Sequence, residues 1–200
     1  KSRSFILKVA ITQRVIYKNG IPTDILDIGW DVFLKKCGLE YELITNKENN
    51  ISRDYLRQFK GIIFTGGNSL MSCNGDSRER DKVEKKIYRL AINMQIPLIG
   101  VCRGMQLIQE MHGIKLFKIF GHVKKKQKVI VNNRTTITNS YHNFGTKKNV
   151  RELIVFAKSF DGITKGILSK KKRIIGIMWH PERNNPLKTY DINLFKKIFF

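Results

Sequence analysis

Short apolar runs alternate with amphipathic stretches through the first half of the chain, and no other feature of the sequence restricts the fold as strongly. Four of the runs are short enough to be strands buried on both faces: residues 5–11, 41–44, 61–65 and 97–101. Three of the stretches have helical spacing: residues 25–36, 76–94 and 103–112. This order is typical of a parallel sheet covered by helices on both faces, so we predict an α/β fold.

The spacing of apolar residues also predicts which face of the first two helices is buried. In the first helix these residues are Ile25, Ile28, Val32 and either Phe33 or Leu34, with a C-terminal stop at Gly38. In the second helix they are Val83, Ile87, Leu90 and Ala91.

Beyond Gly113 the pattern changes to short β-like segments. They are predicted at residues 114–119, 128–131, 135–138, 152–157 and 173–178, followed by a last helix at residues 191–200. We find no internal repeat, low-complexity tract or long linker. The chain is therefore predicted to form one domain, residues 1–200, with a small β-rich extension.

The balance of charge is unusual, because 38 Lys and Arg residues against 16 Asp and Glu give a formal net charge of +22. Such a field concentrates anions, which include nucleic acid, membrane head groups and small phosphorylated substrates. The alternative is a basic surface that serves no partner. The basic runs at residues 124–126 and 170–173 are not interleaved with aromatic residues, so a nucleic-acid-binding function is disfavoured.

Three cysteines, Cys37, Cys73 and Cys102, form neither an even framework nor a CxxC pair. This favours free thiols in a reducing, cytoplasmic setting. The first apolar run is too short to span a membrane and lacks a secretory cleavage pattern, so no membrane association is predicted. The His and Cys spacings match no zinc signature, and we predict neither a metal nor a cofactor.

The segment Gly100-Val101-Cys102-Arg103-Gly104 lies between a predicted buried strand and a predicted helix. Glycines two residues either side of a nucleophile permit the sharp turn that presents its side chain at the carboxyl end of a sheet. The position at a helix N-terminus favours a thiolate, and Arg103 is expected to add a positive charge. Taken alone, the segment is equally consistent with a structural thiol in an ordinary turn.

Two further segments are candidates for the groups that such a thiolate needs. His180, in Trp179-His180-Pro181-Glu182, follows a predicted strand, and Glu182 is placed to orient the imidazole of a general base. Gly66-Gly67 ends another strand, where backbone N–H groups, together with that of Arg103, would form an oxyanion hole. Taken alone, a structural histidine and a simple tight turn explain these two segments better.

Together, the segments GIIFTGGNS, GVCRGMQLI and GIMWHPE resemble the class I glutamine amidotransferase superfamily over residues 9–183. The resemblance implies a doubly wound, flavodoxin-like three-layer sheet with a Cys102-His180-Glu182 triad. Cys102 would attack a γ-glutamyl amide carbonyl to give a thioester, while the Gly67 and Arg103 amides hold the oxyanion. The substrate-binding residues that it implies are Gly66, Gln106, and Ser140, Tyr141 and His142 of the segment NSYHN.

Within the superfamily, the segments ITQR, NSYHN and SFDGI resemble the γ-glutamyl-γ-aminobutyrate hydrolase branch. The chain is shorter than typical members, and Asn68-Ser69-Leu70 stands where they carry a more acidic or glycine-rich loop. Because it is small and rich in Lys and Ile, the chain is also similar to enzymes that release glutamate from CDP-glutamine in bacterial capsule phosphoramidate synthesis. The resemblance therefore implies a small anionic γ-glutamyl substrate. Two alternatives stay open: a glutaminase subunit that delivers ammonia to a synthetase partner, and a nucleic-acid-binding protein.

Overall fold

The computed structural model describes residues 7–169 and 171–200, so Phe5, Ile6 and Lys170 of the predicted segments lie outside the described residues. The strands are β1 (Leu7–Thr12), β2 (Arg14–Lys18), β3 (Ile21–Ile25), β4 (Leu39–Ile44), β5 (Gly61–Phe64), β6 (Leu98–Val101), β7 (Phe117–Lys118), β8 (Val123–Val131), β9 (Arg134–Tyr141), β10 (Phe144–Gly145), β11 (Ile154–Ser159), β12 (Thr164–Ser169) and β13 (Ile174–Ile177). The helices are α1 (Gly29–Cys37), α2 (Arg53–Arg57), α3 (Arg78–Met94), α4 (Arg103–Met111) and α5 (Thr189–Phe199).

One sheet of nine strands runs in the order β4-β1-β5-β6-β13-β12-β11-β8-β9. The pairings from β4 to β13 are parallel, and those from β13 to β9 are antiparallel. The predicted α/β fold, with a parallel core and a β-rich extension, is confirmed. Because the extension continues the same sheet, it lies beside β13, the strand that leads to His180.

Helices cover both faces of the parallel part of the sheet and form two separate apolar cores. Successive residues of β5 point to opposite faces, so Ile62 packs with Val83 and Ile87 of α3, whereas Ile63 packs in the core that contains residues of α1 and α5. Both isoleucines are fully buried. This burial on two faces explains why the central strands appear in the sequence as continuous apolar runs.

The predicted buried face of α1 is right for Phe33 and Leu34, and the helix ends before Gly38 as predicted, but the predicted face is wrong for the other three residues. Ile28 and Val32 are 84% and 54% exposed, and Ile25 belongs to β3 rather than to the helix. The buried residues are Trp30, Phe33, Leu34 and Cys37, which follow the spacing i, i+3, i+4 and i+7. The large aromatic rings of Trp30 and Phe33 fill the space against Phe195 of α5, and this packing sets the rotation of the helix.

A hairpin of β2 and β3 precedes α1 and was not predicted. Its turn is Asn19-Gly20, and both residues have positive φ, 50° and 77°. Asn-Gly is the residue pair that favours a two-residue hairpin turn of this kind, so the signal was present in the sequence. The hairpin matters for the site because its first residue, Arg14, lies beside Gly67.

The predictions for the second half of the chain are less accurate. The segment 114–119 contains only the two-residue strand β7, and β12 was missed. Strands β8 and β9 extend well beyond the predicted segments, because they pair with each other along their length as a long antiparallel ribbon. Within the described ranges, no helix has the length and apolar character needed to cross a membrane.

Candidate active site

Cys102 lies at the junction of β6 and α4, as the sequence predicts. Its backbone has φ 52° and ψ −104°, a region that non-glycine residues rarely occupy. The flanking glycines are sterically required: a Cβ on Gly100 would lie 2.5 Å from the carbonyl carbon of Gly104, and one on Gly104 would lie 2.4 Å from the carbonyl oxygen of Phe64. Strand and helix therefore approach closely, and the turn between them is strained.

His180 and Glu182 follow β13, the strand that pairs with β6. The Nδ1 atom of His180 donates to Oε1 of Glu182 over 2.6 Å, and both side chains are buried. Asn139 fixes the backbone of His180 from both sides. Its Oδ1 accepts from the His180 amide at 2.7 Å, and its Nδ2 donates to the His180 carbonyl at 2.8 Å. The imidazole is therefore held in one orientation, with Nε2 free to face Cys102.

The charge state of His180 follows from its neighbours. Burial disfavours the imidazolium, but the interaction with the Cys102 thiolate, a hydrogen bond to Cys102 and the hydrogen bond to Glu182 together raise the pKa of His180 to about 9. The imidazole is therefore protonated at neutral pH when Cys102 is a thiolate. Such a pair combines a nucleophile with an acid that can protonate a leaving group.

Gly66 and Gly67 bring the end of β5 against this pair. A Cβ on Gly66 would lie 2.5 Å from Cε1 of His180 and 3.4 Å from the Cβ of Cys102. Arg80 holds the loop from behind, since its guanidinium donates to the carbonyl oxygens of Gly66 at 3.0 Å and Gly67 at 2.6 Å. In a trans peptide the N–H points opposite to the C=O, so the Gly67 N–H faces away from Arg80.

The prediction that Arg103 places a positive charge beside the Cys102 thiol is wrong. Its guanidinium is 1% exposed and pairs with the carboxylates of Asp81 and Glu84 of α3. Glu84 also pairs with Arg80 at 3.0 Å and accepts a hydrogen bond from Thr12 at 2.8 Å. The Arg103 side chain thus joins α4 to α3. Its backbone amide, the first of α4, has no acceptor within the helix.

A cavity of about 240 Å³ opens on Cys102 and His180. The lining residues are Arg14, Gly67, Asn68, Ser69, Cys102, Gln106, Tyr141, His142, Asn143, Phe144, His180 and Arg183. Most of the predicted substrate-binding residues therefore meet at one place. Gly66 and Ser140 are exceptions. Gly66 lines a smaller cleft beside His180, and the Ser140 side chain is buried and donates to the His122 carbonyl at 2.6 Å.

A family model for class I glutamine amidotransferases matches residues 33–199, which include both the Cys102 turn and the His180 segment. The chain belongs to the class I glutamine amidotransferase family. This membership confirms the prediction of an enzyme of this superfamily.

Two relatives show the range of this family. The chain is 34% identical over 189 residues to the γ-glutamyl-CDP-amidate hydrolase of Campylobacter jejuni, a match that covers 92% of this chain and 94% of the relative. It is 30% identical over 142 residues to the carbamoyl phosphate synthase small chain of Helicobacter pylori, which covers 68% of this chain but 36% of the relative.

Two solved structures share the fold. A glutamine amidotransferase of Thermotoga maritima has a TM-score of 0.70 and 16% identity, with 96% of this chain and 83% of that chain covered. PurLQS of the same organism has a TM-score of 0.68 and 19% identity, with 97% and 98% covered. At these identities the likeness supports the fold alone.

In the present protein, a buried lysine that was not predicted from the sequence lies next to the cavity. Lys165 of β12 is 2% exposed, and its Nζ lies 2.6 Å from Nε2 of His142 and 3.2 Å from Oγ of Ser140. Burial lowers the pKa of Lys165 to about 7 despite the nearby Cys102 and Asp161. Burial and the Lys165 charge lower the pKa of His142 to about 3, so this imidazole is neutral.

Neutral His142 has one donor and one acceptor nitrogen. Its Nδ1 donates to the Phe144 carbonyl at 2.8 Å, so Nε2 accepts from Lys165. Gln106 donates to the same Phe144 carbonyl at 2.9 Å. These bonds tie the NSYHN segment to α4 and β12 and fix the wall of the cavity that His142 and Phe144 form. Nothing in the local sequence of Lys165 indicated this role.

Proposed function

We propose that the protein hydrolyses γ-glutamyl amides with Cys102 as nucleophile and His180 and Glu182 as its activating pair. The observation that carries the proposal is the 2.6 Å bond between His180 and Glu182, beside a cysteine on a strained turn within one cavity. The relative that hydrolyses γ-glutamyl-CDP-amidate supports the same reaction class.

The reaction begins with attack of the Cys102 sulfur on the γ-carbonyl carbon, which forms a C–S bond and moves an electron pair to the oxygen. The N–H groups of Gly67 and Arg103 stabilise this oxyanion. As the tetrahedral intermediate collapses, the C–N bond breaks and His180 gives its proton to the departing nitrogen. A γ-glutamyl thioester remains on Cys102, and the neutral imidazole is ready to act as a base.

Water then completes the cycle. His180 accepts a proton from the water as its oxygen attacks the thioester carbonyl, and the C–S bond breaks to release glutamate. The enzyme then again has a protonated His180 and a Cys102 thiolate, as at the start of the cycle. Glu182 keeps the imidazole in one tautomer throughout, as the orienting carboxylate does in other triads.

The glutamyl group is proposed to occupy the part of the cavity near Gln106, Tyr141 and His142. The backbone of this segment, which includes Ser140, would hold the α-amino and carboxylate groups, with Gly66 close to the reacting carbon. The position of Ser140 agrees with a contribution from its backbone only, because its side chain is engaged below the cavity.

The preferred leaving group is proposed to be a nucleotide-linked amidate, such as that of CDP-glutamine in capsule phosphoramidate synthesis. The name of the Campylobacter jejuni relative and the net charge of +22 support this choice. The second candidate is a glutaminase subunit that supplies ammonia to a synthetase partner, which the carbamoyl phosphate synthase relative favours. The three free thiols agree with the cytoplasmic setting that either function needs.

The purified chain alone distinguishes these two functions. We expect it to hydrolyse CDP-glutamine without a partner, with a kcat/KM above that for glutamine and for γ-glutamyl p-nitroanilide. The measurement is glutamate release from each substrate under the same conditions. Turnover that is near zero with all three substrates, and rescued by a synthetase, would support the subunit instead.

Gly66→Ala tests whether the approach of the loop to His180 is needed for catalysis. The new methyl group would occupy the place of the imidazole, so we expect kcat/KM to fall by at least about 10²-fold with the fold retained. Gly66 does not have a positive φ, so alanine strains no backbone there. The matched control is Gly113→Ala, which meets nothing within 4 Å and costs about 1 kcal/mol of backbone strain. Wild-type kcat/KM in Gly66→Ala would contradict the proposed geometry.

A further inference from the structure

Two arginines line the cavity on the side of His180 and have no role in the chemistry described above. Arg14 begins β2, and Arg183 follows Glu182. Both residues also border a small cleft lined by Gly66, His180 and Glu182. No Asp or Glu is among the residues that line the main cavity. Two guanidinium groups therefore lie at its rim beside His180, and that of Arg183 is paired with the Asp27 carboxylate.

Arg14 is held in place beside the cavity, and its buried Nε makes no hydrogen bond to the part of the chain that the structure describes. Its aliphatic stem packs on Gly67, where an added Cβ would lie 2.6 Å from the Cδ of Arg14. Asn68 fixes the position of β2 next to Arg14. Its Oδ1 accepts from the Val15 amide and its Nδ2 donates to the Val15 carbonyl, each over 2.8 Å. Arg14 lines the cavity in a fixed position and forms no ion pair with the described carboxylates, so its guanidinium is suited to an anion in the cavity.

Arg183 is oriented by three neighbours. Its Nε donates to Oδ2 of Asp27 at 3.0 Å, and its guanidinium lies over the ring of Tyr141, 5.2 Å from the centroid. Oε1 of Glu182 lies 3.7 Å from the same Nε. These contacts occupy the Nε edge and one face of the Arg183 guanidinium, and the side chain is 30% exposed. The other N–H groups of the fork remain available to a ligand.

The position of the two arginines indicates which part of a substrate they meet. The departing nitrogen must lie beside His180, because His180 protonates it. Arg14 and Arg183 line both the main cavity and the small cleft beside His180, whereas Gln106 and His142 line the main cavity but not that cleft. If the glutamyl group occupies the side of Gln106 and His142, an anion attached to the departing nitrogen is the part of the substrate that meets the two arginines.

We propose that Arg14 and Arg183 form a subsite for a phosphoryl group bonded to the leaving nitrogen of the substrate. The substrate class is then a γ-glutamyl phosphoramidate, with or without a nucleotide beyond the phosphate. This inference rests on the proposed function and adds the residues that select the leaving group. Two planar guanidinium forks suit the tetrahedral oxygens of phosphate.

The test compares two substrates that share the γ-glutamyl group and differ in the leaving group, CDP-glutamine and the uncharged γ-glutamyl p-nitroanilide. We expect Arg14→Met to lower kcat/KM for CDP-glutamine about 10- to 100-fold more than for the p-nitroanilide, because charge-assisted hydrogen bonds are lost. Arg183→Met is expected to act in the same direction. Arg14→Lys should recover only part of the loss, since an ammonium keeps the charge but not the fork.

A second readout is inhibition of p-nitroanilide hydrolysis by CDP. We expect Arg14→Met to raise the inhibition constant of CDP by a similar factor. The matched control is Arg57→Met, which removes a positive charge from an exposed side chain that does not line the cavity and should match the unaltered protein with both substrates.

Equal losses on both substrates would overturn the inference, because the arginines would then serve the glutamyl group or the fold. Unchanged kinetics with CDP-glutamine would also overturn it. A protein that hydrolyses the p-nitroanilide well, but neither prefers CDP-glutamine nor binds CDP, would refute the subsite and leave the proposed function standing. Failure of the unaltered protein with both substrates would refute the proposed function itself.

Discussion

Replacing Cys102 by alanine is expected to lower kcat/KM for γ-glutamyl amides by at least about 10⁴-fold, because the nucleophile is lost and no neighbouring group can replace it. The other cavity residues would still bind substrate, so the dissociation constant should change little. The measurements are steady-state kinetics with CDP-glutamine and equilibrium binding of the same compound to the variant, which does not consume it.

The matched control for this variant is Cys37→Ala. Burial raises the pKa of Cys37 to about 12, so its thiol is protonated, and it packs in the core around α1, away from the cavity. Removal of its sulfur should lower stability slightly and leave kcat/KM at the wild-type value. A Cys102→Ala protein that retains a tenth or more of the activity would be incompatible with the proposed mechanism.

Replacing His180 by glutamine is expected to lower kcat/KM by a similar factor, whereas Glu182→Gln should lower it by about 10²- to 10⁴-fold. In Glu182→Gln the imidazole remains, but the carboxylate that orients it and stabilises its charge is gone. The two variants therefore separate the proton donor from the residue that positions it.

The pH dependence of kcat/KM provides a readout that a merely structural role of Glu182 would not change. Protonated His180 is the acid, and the pKa of His180 is raised to about 9, so activity should be present at neutral pH and fall as pH rises through about 9. Because Glu182 contributes to that increase, Glu182→Gln should move the fall to lower pH. Exposed Glu79, paired with Lys82 on the surface, offers the control Glu79→Gln. An alkaline limb that stays in place in Glu182→Gln would show that Glu182 does not act through His180.

The parallel core, and the position of Cys102, His180 and Gly67 at one edge of it, could be predicted from the sequence for one physical reason. Strands buried on both faces are continuous apolar runs, and parallel strands place their carboxyl ends at one edge of the sheet. Residues that directly follow β5, β6 and β13 therefore lie at the same edge of the sheet. That the three strands are neighbours, so that these residues meet, was implied by the resemblance to the class I glutamine amidotransferase superfamily and not by local sequence.

Features that depend on packing between distant segments could not be predicted in this way. The side chain of Arg103 is next to Cys102 in sequence, yet it turns toward Asp81 and Glu84, which are about twenty residues away and were not recognised as buried. Arg80 and Lys165 were likewise missed, because basic residues in amphipathic segments are usually exposed. Ile28 and Val32 were wrongly placed on the buried face of α1, because they fit the helical period as well as Phe33 does.

Whether Cys102 forms an acyl intermediate is tested by the mass of the protein, quenched during turnover of CDP-glutamine and mapped by peptide analysis. We predict the added mass of one γ-glutamyl group on the peptide that contains Cys102, absent from Cys102→Ala and accumulating in variants slow to hydrolyse the thioester. Substrate turnover with no adduct on Cys102 under any quench, and with equal turnover by Cys102→Ala, would contradict the central claim that this thiol forms the acyl intermediate.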